Sequence, residues 1–312
     1  MKDDRTINQK LSFVSSFEHE EGLVIRLFRN KDHVLVSSAP DMLVYEYDTQ
    51  GKLIHTYGKK GEGPEENMSV HNFDIDSNTY WLHNSEKKQL KKGSILGDKA
   101  SINKNIKTKG EIAHWHGNLH IGLYCHPGKK IPTYFGVYDF EKDQVIRRFP
   151  IDSLIQEKPL AIFEGQDFYY AGTFSKNTNG DLLYSPNWVG YSFVFKTSGE
   201  VVVIKDFREL PYPALSLESN MFKLTPEIFT ARSSCFGEPN EVMILANKNI
   251  FERRDDIFFV DIYNVQTGKY LRSISCPLSK DNERPLFISY RNQQLCVNYV
   301  DGTIAFYNIQ KI

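Results

Sequence analysis

Long apolar runs are missing from this sequence. No uninterrupted stretch approaches the roughly 18 apolar residues that a membrane-crossing helix requires, so no transmembrane segment is expected. A dominant charge is missing too, because 38 Lys+Arg face 39 Asp+Glu for a formal net charge of −1. Without a basic tract there is no electrostatic footprint for nucleic acid, and DNA and RNA are not expected as partners. Cysteine is scarce: Cys125, Cys235, Cys276 and Cys296 include no close pair. That spacing excludes a CxxC metal site and a dense disulfide framework and leaves buried thiols as the plain reading. The start, Met1-Lys2-Asp3-Asp4-Arg5, carries no apolar leader, as in a cytosolic protein or an exported one given without its signal segment.

Aromatic residues, by contrast, are plentiful, with 17 Tyr, 21 Phe and 3 Trp among 312 residues. Such side chains suit a pleated, half-buried surface and favour a β-rich core. One hairpin pattern recurs. Its clearest copy is Met42-Leu43-Val44-Tyr45-Glu46-Tyr47-Asp48, the turn Thr49-Gln50-Gly51, and Lys52-Leu53-Ile54-His55-Thr56-Tyr57: apolar alternation, a polar turn with Gly, and alternation again. Further copies surround Phe135 to Phe149, Tyr191 to Ile204 and Phe258 to Ile274, and a truncated one runs from Thr303 to Asn308. A second, shorter hairpin intervenes at Phe73 to Leu82, Ile112 to Gly122 and Leu286 to Val297.

Two hairpins in series make a four-stranded sheet, the blade of a β-propeller. Tyr47 and Tyr138 lie 91 residues apart, two steps of the ~45 residues usual for a blade, so a weakly marked blade is expected between them. Its outer half falls at Gln89 to Ile106, where lysines obscure the pattern. Two longer steps place insertions at Ser175 to Trp188 and Arg208 to Glu227. The reading is all-β: a single six-bladed β-propeller over residues 1–312, with residues 1–10 a flexible segment. The last blade lacks its outermost strand, and the N-terminal stretch Leu11 to Phe17 is expected to pair beside Thr303 to Asn308 and close the ring.

The segment Tyr57-Gly58-Lys59-Lys60-Gly61-Glu62-Gly63-Pro64-Glu65-Glu66 resembles the Gly-x-x-Gly-x-Gly-Pro-Gly-Glu stretch at the same place in NHL-type and TolB-like six-bladed propellers. Glu65 stands where that pattern has Gly, and the segment occurs once instead of in every blade. The resemblance implies an exported, periplasmic or cell-surface protein, with a lipid anchor in its precursor and a binding or scaffold role. It transfers no catalytic residue.

The same segment is no phosphate loop, because neither GxxxxGK[ST] nor GxGxxG can be read there. His114-x-His116-x3-His120, with His126 nearby, is the one metal-like spacing, since positions 114 and 116 of a strand share a face. The ordinary reading of these histidines is polar lining of a blade. Asp74-Ile75-Asp76-Ser77-Asn78 begins like a calcium loop but has Thr79 and Ser85 where Gly and Glu belong, so an EF-hand is excluded. A GxSxG elbow is absent, and adjacent Cys125 and His126 make no catalytic pair. Trp188, in an insertion, and Arg232, on an inner strand, are candidates for a pocket. The expected function is therefore a non-enzymatic propeller binding a protein or a small-molecule or carbohydrate ligand, with Asp74, His114, His116, Trp188 and Arg232 as candidate contacts and no resident cofactor. The alternative is a metal-dependent lactonase or lyase holding calcium or zinc.

Overall fold

The computed structural model describes residues 4–30, 32–62, 66–67, 69–76, 78–95, 102–106, 111–124, 133–155, 169–210, 213–218, 221–225, 227, 230–248 and 257–312. Its contacts divide the chain into two compact units, Met1–Phe17 with Phe168–Ile312, and Glu18–Asp167. The chain opens with strand β1 (Ile7–Glu18), which serves the first of these units.

Three antiparallel four-stranded sheets make up Glu18–Asp167. The first holds β2 (Leu23–Asn30), β3 (His33–Ala39), β4 (Val44–Tyr47) and β5 (Leu53–Tyr57). β6 (Val70–Asp76), β7 (Thr79–Asn84), β8 (Gln89–Ser94) and β9 (Ile102–Asn105) form the second. The third contains β10 (Ile112–His116), β11 (Leu119–Tyr124), β12 (Tyr134–Asp139) and β13 (Gln144–Pro150), and is followed by the short helix α1 (Ile151–Ile155). Within each sheet the strands pair in sequence order, and the first strands approach one another, β2 against β6 and β6 against β10. Leu35, Val44, Tyr57, Val70, Phe73 and Leu82 fill the space between the first two sheets, and Trp81, Leu90, Ile112 and Tyr138 fill that between the second and third. A lone hairpin cannot hide both of its faces, whereas stacked sheets bury them against each other.

The other unit repeats the scheme. β14 (Gly172–Lys176), β15 (Leu182–Pro186), β16 (Tyr191–Phe195) and β17 (Val201–Lys205) form one sheet, followed by a two-stranded hairpin of β18 (Ala214–Glu218) and β19 (Met221–Thr225). Then come β20 (Ser233–Phe236), β21 (Glu241–Asn247), β22 (Phe258–Asn264) and β23 (Tyr270–Cys276), and last β24 (Pro285–Arg291), β25 (Gln294–Tyr299) and β26 (Thr303–Lys311). β1 supplies the missing fourth strand beside β26, as the sequence leads one to expect. Asn8 accepts a bond from the Ile312 N–H, and the Phe13 and Phe17 rings meet those of Tyr307 and Phe306. The start of β1 also pairs in parallel with β23 at Ile7 and Gln9, merging the last two four-stranded sets into one eight-stranded sheet. Six four-stranded sets result among the described residues.

Two expectations change. The stretch 175–188 is no insertion: it contains most of the first hairpin of the fourth blade, β14 and β15. Its turn, Asn177 to Asp181, is uniformly polar, and the Asn177 side chain accepts from the Asn179 and Asp181 N–H groups, so turn chemistry hides a strand pair. The added length lies upstream, between β13 and β14, while 208–227 does hold an extra hairpin. Within residues 1–10, Ile7 to Lys10 belong to β1, and Arg5 is anchored by a bidentate pair with Asp261 at 2.8 and 3.0 Å, both side chains 2% exposed.

A bulge repeats at the outer edge. In the first, third and fifth blades one extra residue, Ile54, Ile146 or Leu271, sits in the fourth strand opposite Tyr47, Tyr138 or Tyr263 of the third. All three bulge residues are exposed. The extra residue of a bulge leaves the regular in-and-out alternation, which accounts for these surface aliphatics. No helix among the described residues is long and apolar enough to cross a membrane.

Candidate functional site

Bulges also mark the entry to the first strands. Ile25 in β2, His71 in β6 and Leu286 in β24 are each one residue too many for the partner strand. A bulge kinks its strand and re-aims the side chains around it. In the unit Glu18–Asp167 this brings together polar groups from three successive blades: Arg26 of β2, His71 and Asn72 of β6, and Glu111 just ahead of β10.

Glu111 is the hub. Arg26 donates through Nη2 to Oε1, Asn72 donates through Nδ2 to Oε2 at 3.2 Å, and His71 Nδ1 lies 3.3 Å from Oε1. Arg26 is fixed from the other side as well, its Nη1 donating to the Ile25 carbonyl at 2.8 Å. The Glu111 side chain is 13% exposed, that of Arg26 17% and that of His71 32%, so the imidazole is the most accessible member. Burial opposes ionisation of Glu111, but the Arg26 guanidinium and the His71 ring outweigh it and hold the carboxyl down at about 2. His83 of β7 stands directly opposite Asn72 in the ladder and therefore on the same face. Burial holds its imidazole down at about 4, with the Glu111 charge pulling the other way and His71 adding to the shift. Its Nδ1 has no hydrogen-bond partner among the described residues.

Positive and negative charge cancel in this cluster, leaving a neutral, directional set of hydrogen-bonding groups. When His71 presents Nδ1–H to Glu111, its Nε2 carries a lone pair aimed away from the carboxylate. Such a group can accept a proton or a hydrogen bond from a ligand, and the buried ion pair behind it restricts its rotation.

The residues singled out from sequence are distributed otherwise. Asp74 and His114 do meet, Nδ1 to Oδ2 at 2.5 Å, joining β6 to β10. The other ring nitrogen of His114 faces the Gly117 carbonyl at 3.1 Å, and the imidazole lies flat on Trp81 with centroids 5.0 Å apart. With both nitrogens engaged, His114 joins two blades. His116 does not share its face: a register shift between His114 and His116 makes Trp115 the bulge residue and breaks the alternation on which the pairing rested. Among the described residues no three His, Cys, Asp or Glu side chains are grouped to hold a metal ion. The Asp74 stretch is the β6–β7 hairpin, and Cys125 and His126 lie outside the described residues. In the other unit Trp188 is buried in the β15–β16 connection, and Arg232, immediately before β20, donates to Asn247 at 2.7 Å with its guanidinium over Phe258. The glycine segment, described up to Gly61-Glu62 and again from Glu66, connects the first two blades. Gly61 N–H bonds to the Asn67 carbonyl and Lys59 pairs with Glu66. Arg26, His71, Asn72 and Glu111 were not among the candidates. Their one sequence signal is that charged or polar residues recur at 26, 71 and 111, a blade length apart, at the entries to first strands.

Comparison with known proteins agrees with this architecture. The family model DUF5128, described as a 6-bladed beta-propeller, matches residues 22–91. The comparison with curated proteins gave no match. Among solved structures, a member of the DUF4221 family from Bacteroides vulgatus superposes with a TM-score of 0.62 at 12% identity, covering 98% of this chain and 99% of that one. A candidate exported protein from Bacteroides fragilis gives 0.56 at 11% identity over 100% and 98%. A virginiamycin B lyase from Staphylococcus aureus gives 0.51 at 11% identity over 97% and 100%. Likeness at such identities concerns the fold alone, and on that level the chain is an all-β propeller with four-stranded blades, six-bladed in the family model that matches its first part.

Proposed function

We propose that this protein is a non-enzymatic binding propeller of the extracytoplasmic space, taking a neutral, hydroxyl-rich small molecule or carbohydrate at the cluster around Glu111. The observation that carries this reading is the fixed carboxylate with its three donors, from which only the His71 ring reaches substantially into solvent. Charge cancellation disfavours selection of a strongly ionic ligand, and the outward Nε2 of His71 accepts hydrogen bonds from hydroxyl groups. Asp74, two residues along β6 from Asn72 and on the same face, is a quarter exposed and extends the acceptor surface. Export is supported by the glycine-segment resemblance to TolB-like and NHL-type propellers and by the candidate exported neighbour. A lipid-anchored precursor belongs to the same proposal.

The test is calorimetry and thermal shift with a panel of neutral mono- and oligosaccharides, on the wild type and His71→Ala. Saturable binding that weakens about tenfold or more in the variant, as expected when one contact worth at least ~1.4 kcal/mol is removed, supports the reading. Binding untouched by the substitution, or consumption of the bound sugar that ceases with it, overturns the reading; the second outcome would favour the lyase-type alternative.

A further inference from the structure

His19 occupies an unusual position in the chain. It directly follows β1 and opens the turn of residues 19–22 that leads into β2. The side chain is buried, and both ring nitrogens are bonded, Nδ1 to Tyr47 Oη at 2.9 Å and Nε2 to Ser38 Oγ at 3.0 Å. The proton arrangement follows from the neighbours. Ser38 Oγ donates its single hydrogen to the Glu21 carbonyl at 2.6 Å, because a carbonyl oxygen only accepts. Toward His19 the same hydroxyl must therefore accept, so Nε2 carries a hydrogen. In the neutral imidazole Nδ1 then accepts from the Tyr47 hydroxyl.

The turn itself is pressed against the end of β3. Gly22 has φ +103°, and a Cβ there would lie 2.1 Å from the Ala39 carbonyl oxygen. The rings of Tyr45 and Tyr47 stand edge-on to the imidazole with centroids 5.3 and 5.8 Å away. A second proton on His19 would reverse the Tyr47 bond and leave a cation in this largely aromatic pocket.

We propose that His19 is an acid-sensitive latch that holds the 19–22 turn against the first blade while neutral and releases it when protonated. The charged groups near it are Asp41 of the β3–β4 connection and Glu20 and Glu21 of the turn, with the phenols of Tyr45 and Tyr47 from β4. Burial lowers the His19 pKa and the Asp41 carboxylate opposes that shift without cancelling it. With the folded value below the ordinary 6.5, the latch is complete above pH 6.5 and weakens as pH falls from there through the folded value.

Hydrogen exchange of the full chain at pH 7.5 and 5.0, corrected for intrinsic rates, reads the latch directly. Protection at residues 19–24 is expected to fall about tenfold more than that of β3 and β4 on acidification, in keeping with one lost buried contact. His19→Gln is expected to remove the pH dependence. Tyr47→Phe, which keeps the ring and deletes the hydroxyl donor, is expected to move the transition to higher pH, and it serves if the first variant folds poorly. Equal protection of 19–24 at the two pH values, or an acid-induced loss that persists in His19→Gln and does not move in Tyr47→Phe, would overturn the proposal.

Discussion

Removing the Glu111 carboxylate should change the acid limb of the stability curve in a defined way. In the folded protein this carboxyl titrates at about 2, against an ordinary value near 4.5. At 1.36 kcal/mol per pH unit the difference corresponds to roughly 3 kcal/mol of stabilisation. Because the folded value is depressed, that stabilisation is complete above about pH 4.5 and is lost as pH falls from there toward 2. Glu111→Gln keeps the shape and the Asn72 contact but abolishes the titration. Denaturant midpoints followed by tyrosine and tryptophan fluorescence from pH 2 to 7 should show the variant less stable by about 2–4 kcal/mol at pH 7, the cost of leaving buried Arg26 unpaired. The two proteins should converge near pH 2. Other carboxylates titrate in the same range, so the difference between the two curves is the quantity that matters. A double-mutant cycle with Arg26→Met should return a coupling of about 2–3 kcal/mol at pH 7 that vanishes at pH 2. Parallel curves across the whole range, or a coupling near zero at neutral pH, would refute the ion-pair reasoning and with it the fixed scaffold assigned to His71.

Three further outcomes follow from the packing. Gly93→Ala places a methyl 2.1 Å from the Tyr80 ring, so a loss of about 2–3 kcal/mol in urea unfolding is expected, largely restored by adding Tyr80→Ala. Arg5→Ala strands Asp261 in a site where both side chains are 2% exposed and should cost about 3–5 kcal/mol, whereas Arg5→Met combined with Asp261→Asn should recover most of it; thermal denaturation compares the three. Cys235, Cys276 and Cys296 are buried thiols outside any disulfide, and burial pushes the Cys276 thiol up to about 12. Their reaction with a thiol reagent should follow the unfolding rate instead of reagent concentration.

The blade rhythm was legible because each hairpin announces itself twice, by alternation and by a polar turn, and because aligned tyrosines such as Tyr47, Tyr138 and Tyr263 face the same bulge in their blades. It was faint where physical compensation hides the pattern. Lys91 in β8 is 2% exposed, yet its ammonium reaches the Glu66 carbonyl at 2.7 Å, so a charged letter occupies a buried position. The opposite error arose at Asn177 to Asp181, where a side-chain-capped turn made a genuine strand pair look like a loop. Asp74 and His114 stand out in the sequence as candidate ligand contacts, but their contact with each other does not, and sequence does not show that the Gly117 carbonyl occupies the second ring nitrogen. The Glu111 cluster was missed because its members come from three blades, and no local motif spans such distances.

A repeated scaffold makes a non-repeated site only if something breaks the repeat locally. In this chain that break is the first-strand bulge, present at Ile25, His71 and Leu286. The bulge alone is not sufficient: at Leu286 the extra residue is apolar, and the next position is Phe287. At His71 the extra residue is an imidazole, its neighbour is an amide, and the adjoining blades offer a carboxylate and a guanidinium within bonding distance. What distinguishes the second blade is therefore the chemistry placed on a backbone irregularity that other blades share. Exchanging the pair His71-Asn72 for Leu-Phe, the residues at 286–287, should leave the ladder of β6 and β7 intact by hydrogen exchange while abolishing ligand binding at the cluster, and a variant that retains binding would show that recognition lies elsewhere.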